Sequence, residues 1–422
     1  MNTTPEDTVF ERFFAPARFA LQAANRKRHC TEYTDESFII AGIGRVIASV
    51  SSGRDWVQRL QASMGLRVTV ASFFQALRSK RRQTLTEEVA AHIRDQVDDE
   101  TTASYDPLSN HEELQGYAVF ASDGHYEAAA SHTKPVQDKI QAQGYFYSLN
   151  LRSHSLSLLD VARPKVKREH DITALKRLSP TQLRLGAPTG TKVIHVYDAA
   201  SIDYRQWTKW KTRGIYLISR ERGNSKPFVI GLREFDETDP RNIGVLSDEW
   251  VGTFSGVTIR RVRYEDPATE KTFSFVTNEF NLPPGLIAFL YKLRWDIEKC
   301  FDEKKNKLQE KKAWGTTDVA KSNQALFVCM AHNLLVLLER QLDREEDLRD
   351  EKILAKRRKR LKRLEQQIRA SGRNPNPMVM KCHRITQRSL QFIRWLRDAL
   401  VFRTSWDAGI ELLRPLMNDY IA

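Results

Sequence analysis

The sequence predicts an α/β fold with a central sheet and helical segments at both ends. Three observations carry this expectation. Residues 115–219 read in the order three strands, helix, strand, helix, strand, the pattern of a sheet layered with helices. Residues 220–280 add four strand-like runs separated by turn residues, with no helical periodicity. Both ends of the chain place apolar residues at helical spacing among many charges.

Residues 1–112 are expected to be a helical DNA-binding region. Residues 35–51 and 53–62 mix apolar and polar side chains at helical spacing. Residues 70–82, VASFFQALRSKRR, put Phe73, Phe74 and Leu77 on one side and end with Arg78, Lys80, Arg81 and Arg82. That segment fits a helix laid on nucleic acid, and equally a packed helix with a solvated basic end.

From residue 113 the character changes. GYAVFASDG is an apolar run that stops at an Asp-Gly turn, and YFYSLNL and SHSLSLLDV follow as further strands. Residues 171–185 look helical, KVIHVYD is a buried strand ending in Asp198, residues 201–213 look helical, and residues 215–219 return to strand. PFVIGLREF, IGVLSDEWVGTF, VTIRRVRYE and TFSFVTNEF form a β-rich insertion over about residues 220–282.

Residues 284–310 then read as one amphipathic helix. Tyr291, Arg294, Glu298 and Lys305 recur at spacings of three, four and seven. At roughly 100° per residue those four side chains fall within about 60° of one another. Leu290, Leu293, Ile297, Phe301 and Leu308 fill the adjoining apolar face. Residues 316–340 make an apolar helix with Asn323, His332 and Asn333 embedded, closing the core at 113–340. Residues 341–422 are a basic helical region. AKRRKRLKRLEQQIR carries Lys356, Arg357, Arg358, Lys359, Arg360, Lys362 and Arg363, GRNPNP reads as a turn, and residues 383–421 resume helical periodicity.

A chain of 422 residues has room for two or three domains, and 41% hydrophobic content supports an ordinary core. Its 67 Lys and Arg against 53 Asp and Glu give a net charge of +14, which favours a polyanionic partner, either nucleic acid or an anionic membrane. There is no run of 18 apolar residues and no charged-then-apolar start, so neither a membrane-spanning helix nor a signal peptide is expected. Cys30, Cys300, Cys329 and Cys382 are few and scattered without a CxxC pair. Reduced, buried thiols in a cytoplasmic protein follow, and a zinc ribbon does not.

The acids that could carry chemistry are Asp123 after the first strand, Asp198 after the fourth, and Glu298 on the helix behind the insertion. Carboxyl ends of neighbouring strands converge in open α/β sheets, and an adjacent helix can complete such a cluster. Three acids held together repel, and divalent ions with oxygen preference, Mg²⁺ or Mn²⁺, relieve that repulsion. Two such ions clamp the oxygens of an in-line phosphoryl displacement. Arg294 and Lys305 would neutralise phosphate, and Tyr291 would donate a hydrogen bond to it. On spacing alone, Arg294 and Glu298 are also an ordinary surface ion pair at i,i+4.

The text FVTNEFNLPPGLIAFLYKLRWDIEKCFDEKKNKL resembles the signature region of DDE transposases of bacterial insertion sequences. The subgroup is the insertion sequence four family, marked Tyr-x2-Arg-x3-Glu-x6-Lys, which Tyr291, Arg294, Glu298 and Lys305 match at every position. Asp123-Gly124 and the VYD ending at Asp198 resemble the family's two aspartate motifs, with Asp160 and Asp203 as competitors. The resemblance covers roughly residues 115–340. It implies a ribonuclease H-like catalytic core with a β-rich insertion, and Asp123, Asp198 and Glu298 as catalytic metal ligands. It also implies Mg²⁺ or Mn²⁺, two ions in all, as cofactor. The partner would be double-stranded DNA, as terminal inverted repeats and target, handled by a homodimer in the bacterial nucleoid. Trp295 matches a family aromatic near the transposon end, where it could stack on an unpaired base; a core aromatic beside Arg294 is the alternative. The implied activity is cut-and-paste cleavage and strand transfer. A catalytically inactive DNA-binding derivative, or a nuclease without strand transfer, are the alternatives.

Overall fold

A computed structural model describes residues 7–25, 33–50, 52–163, 169–223, 227–308, 310–381 and 388–418. Among the described residues five helices come first: α1 Val9–Ala23, α2 Asp35–Ala48, α3 Gly53–Met64, α4 Val70–Leu77 and α5 Lys80–Asp99. Each begins at a Ser or Thr whose side chain accepts from a backbone N–H of the first turn. Residues 70–82 are therefore not one helix, because Ser79 caps a new helix just after Leu77 ends α4. The basic end is also partly committed. Arg82 is buried with its guanidinium 3.3 Å from the Asp35 carboxylate, and Arg81 binds the same carboxylate at 2.6 Å.

The sheet follows, as β1 Tyr117–Glu127, β2 Gln143–Asn150, β3 Leu156–Val161, the short helices α6 Asp171–Arg177 and α7 Pro180–Leu183, β4 Lys192–Tyr197, α8 Tyr204–Lys211 and β5 Ile215–Arg220. The four runs of the insertion are β6 Phe228–Leu232, β7 Val245–Gly252, β8 Thr258–Glu265 and β9 Thr272–Thr277. The nine strands of the described residues form one mixed sheet in the order β3-β2-β1-β4-β5-β9-β8-β7-β6. β1, β4 and β5 are parallel neighbours, whereas β2 and β3 run antiparallel and β6–β9 are an antiparallel meander attached through β9 to β5.

β1 does not stop at Asp123-Gly124. Its parallel pairing with β4 ends at Ala121↔Val196, but its antiparallel pairing with β2 runs on to Glu127↔Gln143. The Asp-Gly pair is thus mid-strand, not a turn.

Helices α9 Pro284–Leu293 and α10 Trp295–Asp302 cover one face of the sheet. They are followed by a π-helical turn at Glu303–Lys307. The long α11 Asp318–Glu346 comes next, then α12 Glu351–Ala370, α13 Pro377–Lys381, α14 Leu390–Val401 and α15 Trp406–Asn418. By length and composition α11 could cross a membrane, yet 89% of its most apolar window is buried inside the protein. It packs against α1, α2 and α5 in the largest core cluster, which α14 and α15 also join. Cys300 and Cys329 are buried free thiols, while Cys30 and Cys382 fall outside the described residues.

Candidate metal centre

The parallel register of β1 and β4 brings two carboxylates together. Two residues beyond the last pair, Ala121↔Val196, lie Asp123 and Asp198, and the period of two puts both on the same face as that pair. Asp198 leaves β4 and caps a 3-10 turn, its Oδ1 accepting from the Ala200 N–H at 2.8 Å. Its backbone carbonyl accepts from the Ser219 hydroxyl at 2.7 Å, which ties the strand end to β5. Asp123 stays in the strand and faces Tyr147 on β2.

A third acid comes from the first residue of α6. Ligand oxygens of Asp123, Asp171 and Asp198 all lie within 4.8 Å of one another. Space for this approach exists because residue 124 is glycine. A Cβ there would stand 2.7 Å from Asp171 Oδ1 and 3.0 Å from the Phe146 ring. Tyr126, two residues on, reaches Asp171 Oδ1 with its hydroxyl at 2.8 Å.

Glu298 enters from α10 and meets Asp123 through an arginine. Arg294 Nη1 donates to Asp123 Oδ2 at 2.9 Å and to Glu298 Oε1 at 3.3 Å. Arg294 is buried, and its Nε has no hydrogen-bond partner. Burial raises the Asp123 carboxyl to about 8, opposed by Arg294 and reinforced by the charges of Glu298 and Asp198. A divalent cation beside Asp123 would oppose that rise and favour the carboxylate form. Divalent cations with all-oxygen ligands fit that donor set.

The remaining signature residues lie along one helical run with two irregularities, since Arg294 between α9 and α10 keeps helical backbone angles. α9 ends at Leu293, α10 starts at Trp295, and the π-helical turn changes the phase before Lys305. The expected common face therefore does not extend unbroken to Lys305, which is exposed. Tyr291 is half-buried against Phe275, ring centroids 4.7 Å apart, with the Arg294 guanidinium 5.9 Å from its own ring. Trp295 is 58% exposed and 5.7 Å from that guanidinium, so it is not a core aromatic. The apolar face is as expected: Leu290, Leu293, Ile297, Phe301 and Leu308 are all buried.

The two competing aspartates are engaged elsewhere. Asp203 caps α8 through Gln206 N–H at 3.1 Å and pairs with Lys176 at 2.5 Å. Asp160 pairs with Arg177 at 2.6 Å. Asp171 was not among the sequence candidates, because an aspartate opening a helix reads as an ordinary first-turn acid. The available signal was indirect: a small residue after Asp123 and a tyrosine at 126, both needed only if something packs there.

Residues 130–334 match the family described as the transposase DDE domain. That span contains Asp171, Asp198 and Glu298 and begins just after Asp123. Over 152 residues the chain is 26% identical to the candidate transposase y4zB of Sinorhizobium fredii, covering 35% of this chain and 42% of that protein. The chain thus spans under half the length of this curated relative.

Proposed function

We propose that this chain, with its segment similar to the transposase DDE domain, is a metal-dependent DNA transposase that cleaves and joins insertion-sequence ends by cut-and-paste. The observation that carries the reading is the meeting of Asp123 and Asp198 on adjacent parallel strands with Glu298 linked to Asp123 through Arg294. The strand order β3-β2-β1-β4-β5, with β1, β4 and β5 parallel, supports a ribonuclease H-like core carrying the β6–β9 insertion. The match to Tyr-x2-Arg-x3-Glu-x6-Lys supports the insertion sequence four subgroup.

Asp123, Asp198 and Glu298 would hold Mg²⁺ or Mn²⁺, and two such ions supply an activated water or 3′-hydroxyl and a stabilised leaving oxygen. Arg294 offers guanidinium donors to a phosphate once Asp123 and Glu298 turn to a cation. Lys305, exposed on the π-helical turn, adds charge along the backbone of the same strand. Tyr291 supports Arg294 and can donate to a phosphate oxygen. Trp295, exposed beside Arg294, offers a surface for stacking an unpaired base. The helical residues 1–112 and the basic residues 341–422 would contact terminal inverted repeats and target, with two copies pairing the two ends.

The test uses the full-length protein and a duplex carrying the inverted repeats that flank its gene. Glu298→Gln should abolish Mg²⁺-dependent cleavage, a loss of at least 10³-fold if it removes charge stabilisation at the reacting phosphate. DNA binding by gel shift should persist. Cleavage by the variant at the native rate would sink the assignment. Cleavage by the native protein without joining to a target plasmid would favour a nuclease.

A further inference from the structure

We propose that Asp171 is a direct ligand of the divalent-cation centre, supplied by α6. The inference rests on the metal-dependent reading above and extends its ligand set.

Four observations support it. The Asp171 carboxylate has an oxygen within 4.8 Å of one on Asp123 and one on Asp198, so a small closure brings all three onto one ion at the usual Mg²⁺–oxygen distance of about 2.1 Å. β1 is shaped to admit it, since any side chain at Gly124 would collide with Asp171 Oδ1 at 2.7 Å. The carboxylate is also aimed: the Tyr126 hydroxyl lies 2.8 Å from Oδ1 and 2.7 Å from the Glu169 carbonyl and shares its one proton between them. The fourth observation is independent of the acids. Tyr197, on β4, is buried and lines the same small cavity as Asp123, Gly124 and Asp171. Its hydroxyl makes no well-formed hydrogen bond, with the Ser122 side chain as its polar neighbour. A buried hydroxyl this poorly partnered is costly, and a water bound to a cation on Asp123 and Asp171 is the kind of group that would satisfy it.

The chemistry of the set selects the cation. Three carboxylates and water are hard oxygen ligands with no imidazole or thiolate, which suits Mg²⁺ and Mn²⁺. Asp171 reaches the cluster over Gly124, whereas Glu298 meets Asp123 through Arg294. A first cation on Asp123, Asp171 and Asp198 therefore needs no oxygen from Glu298.

Mn²⁺ binding to the full-length protein, read by the electron paramagnetic resonance signal of free Mn²⁺, tests this without catalysis. Asp171→Asn keeps the shape and an oxygen for Tyr126 but loses the charge. It should weaken Mn²⁺ binding at least tenfold, as Asp123→Asn should, while Glu298→Gln retains the first ion. Tyr126→Phe controls for packing: it removes the hydroxyl and should weaken Mn²⁺ only slightly. Thermal unfolding of each variant identifies any that fail to fold, and Asp171→Glu then replaces Asn, with partial retention of binding expected. Native affinity in Asp171→Asn alongside loss in Asp123→Asn would overturn the role of Asp171 and leave the metal reading intact. No Mn²⁺ binding by the native protein would overturn the metal reading itself.

Discussion

Lys304 shows how much of the site's support is held by single buried charges. It sits in the π-helical turn one residue before Lys305, almost fully buried, and its ammonium lies 3.0 Å from the equally buried Glu127 carboxylate at the end of β1. Glu127 also accepts from Gln324 on α11 at 3.0 Å. One ion pair thus joins the strand that carries Asp123, the turn that carries Lys305 and the central helix. Removing one partner of a buried pair leaves the other charge without compensation, a loss of about 3–5 kcal/mol. Lys304→Met should lower stability by that amount in urea unfolding. Adding Glu127→Gln should recover most of it, because the uncompensated charge is then gone. Equal stability of the single and double variants would mean that the pair is not the source.

Among the elements, the insertion and the apolar face of residues 284–308 were legible because both depend on local pattern. Alternating strands between turns became β6–β9, and the five apolar positions from Leu290 to Leu308 are buried. What the pattern did not reveal was set by distant parts of the chain. The π-helical turn is held by contacts to β1 and to residue 388, which periodicity does not see. The place of Asp171 depends on Gly124, which lies 47 positions earlier in the sequence. α9 itself is located by the insertion. Gly285 N–H donates to Asn242 Oδ1 at 2.9 Å, and a Cβ at 285 would lie 2.0 Å from the Arg241 carbonyl oxygen. Gly285→Ala must therefore push α9 away from the 3-10 turn at Pro240–Asn242. Overpacking of this kind costs about 1–3 kcal/mol. Because α9 leads directly into Arg294, the same variant should also lower DNA cleavage more than DNA binding. A variant with native stability would show that the turn yields freely and that α9 is positioned from elsewhere.

For the whole molecule, the net charge of +14 is not spread evenly. Much positive charge elsewhere is neutralised internally, as at Arg81 and Arg82 against Asp35, Arg260 against Asp248, and Arg388 against Glu303. α12 is different. It is 20 residues long, about 30 Å at 1.5 Å per residue, with Ile368 as its one buried residue. Lys356, Lys359, Arg360, Lys362 and Arg363 are all exposed along it. A rod of cations of that length can follow the phosphates of nearly one turn of duplex, and such contacts add affinity without sequence information. The alternative is a solvated helix face, and salt dependence separates the two. Each phosphate that the protein no longer neutralises lowers the slope of log K against log salt by about 0.9 on duplex DNA. Replacing Lys359, Arg360, Lys362 and Arg363 together by Gln should flatten the slope by about 3–4 and weaken binding to specific and random duplexes alike. Thermal stability should hardly change, since these side chains pack little. An unchanged slope would assign α12 to solvent.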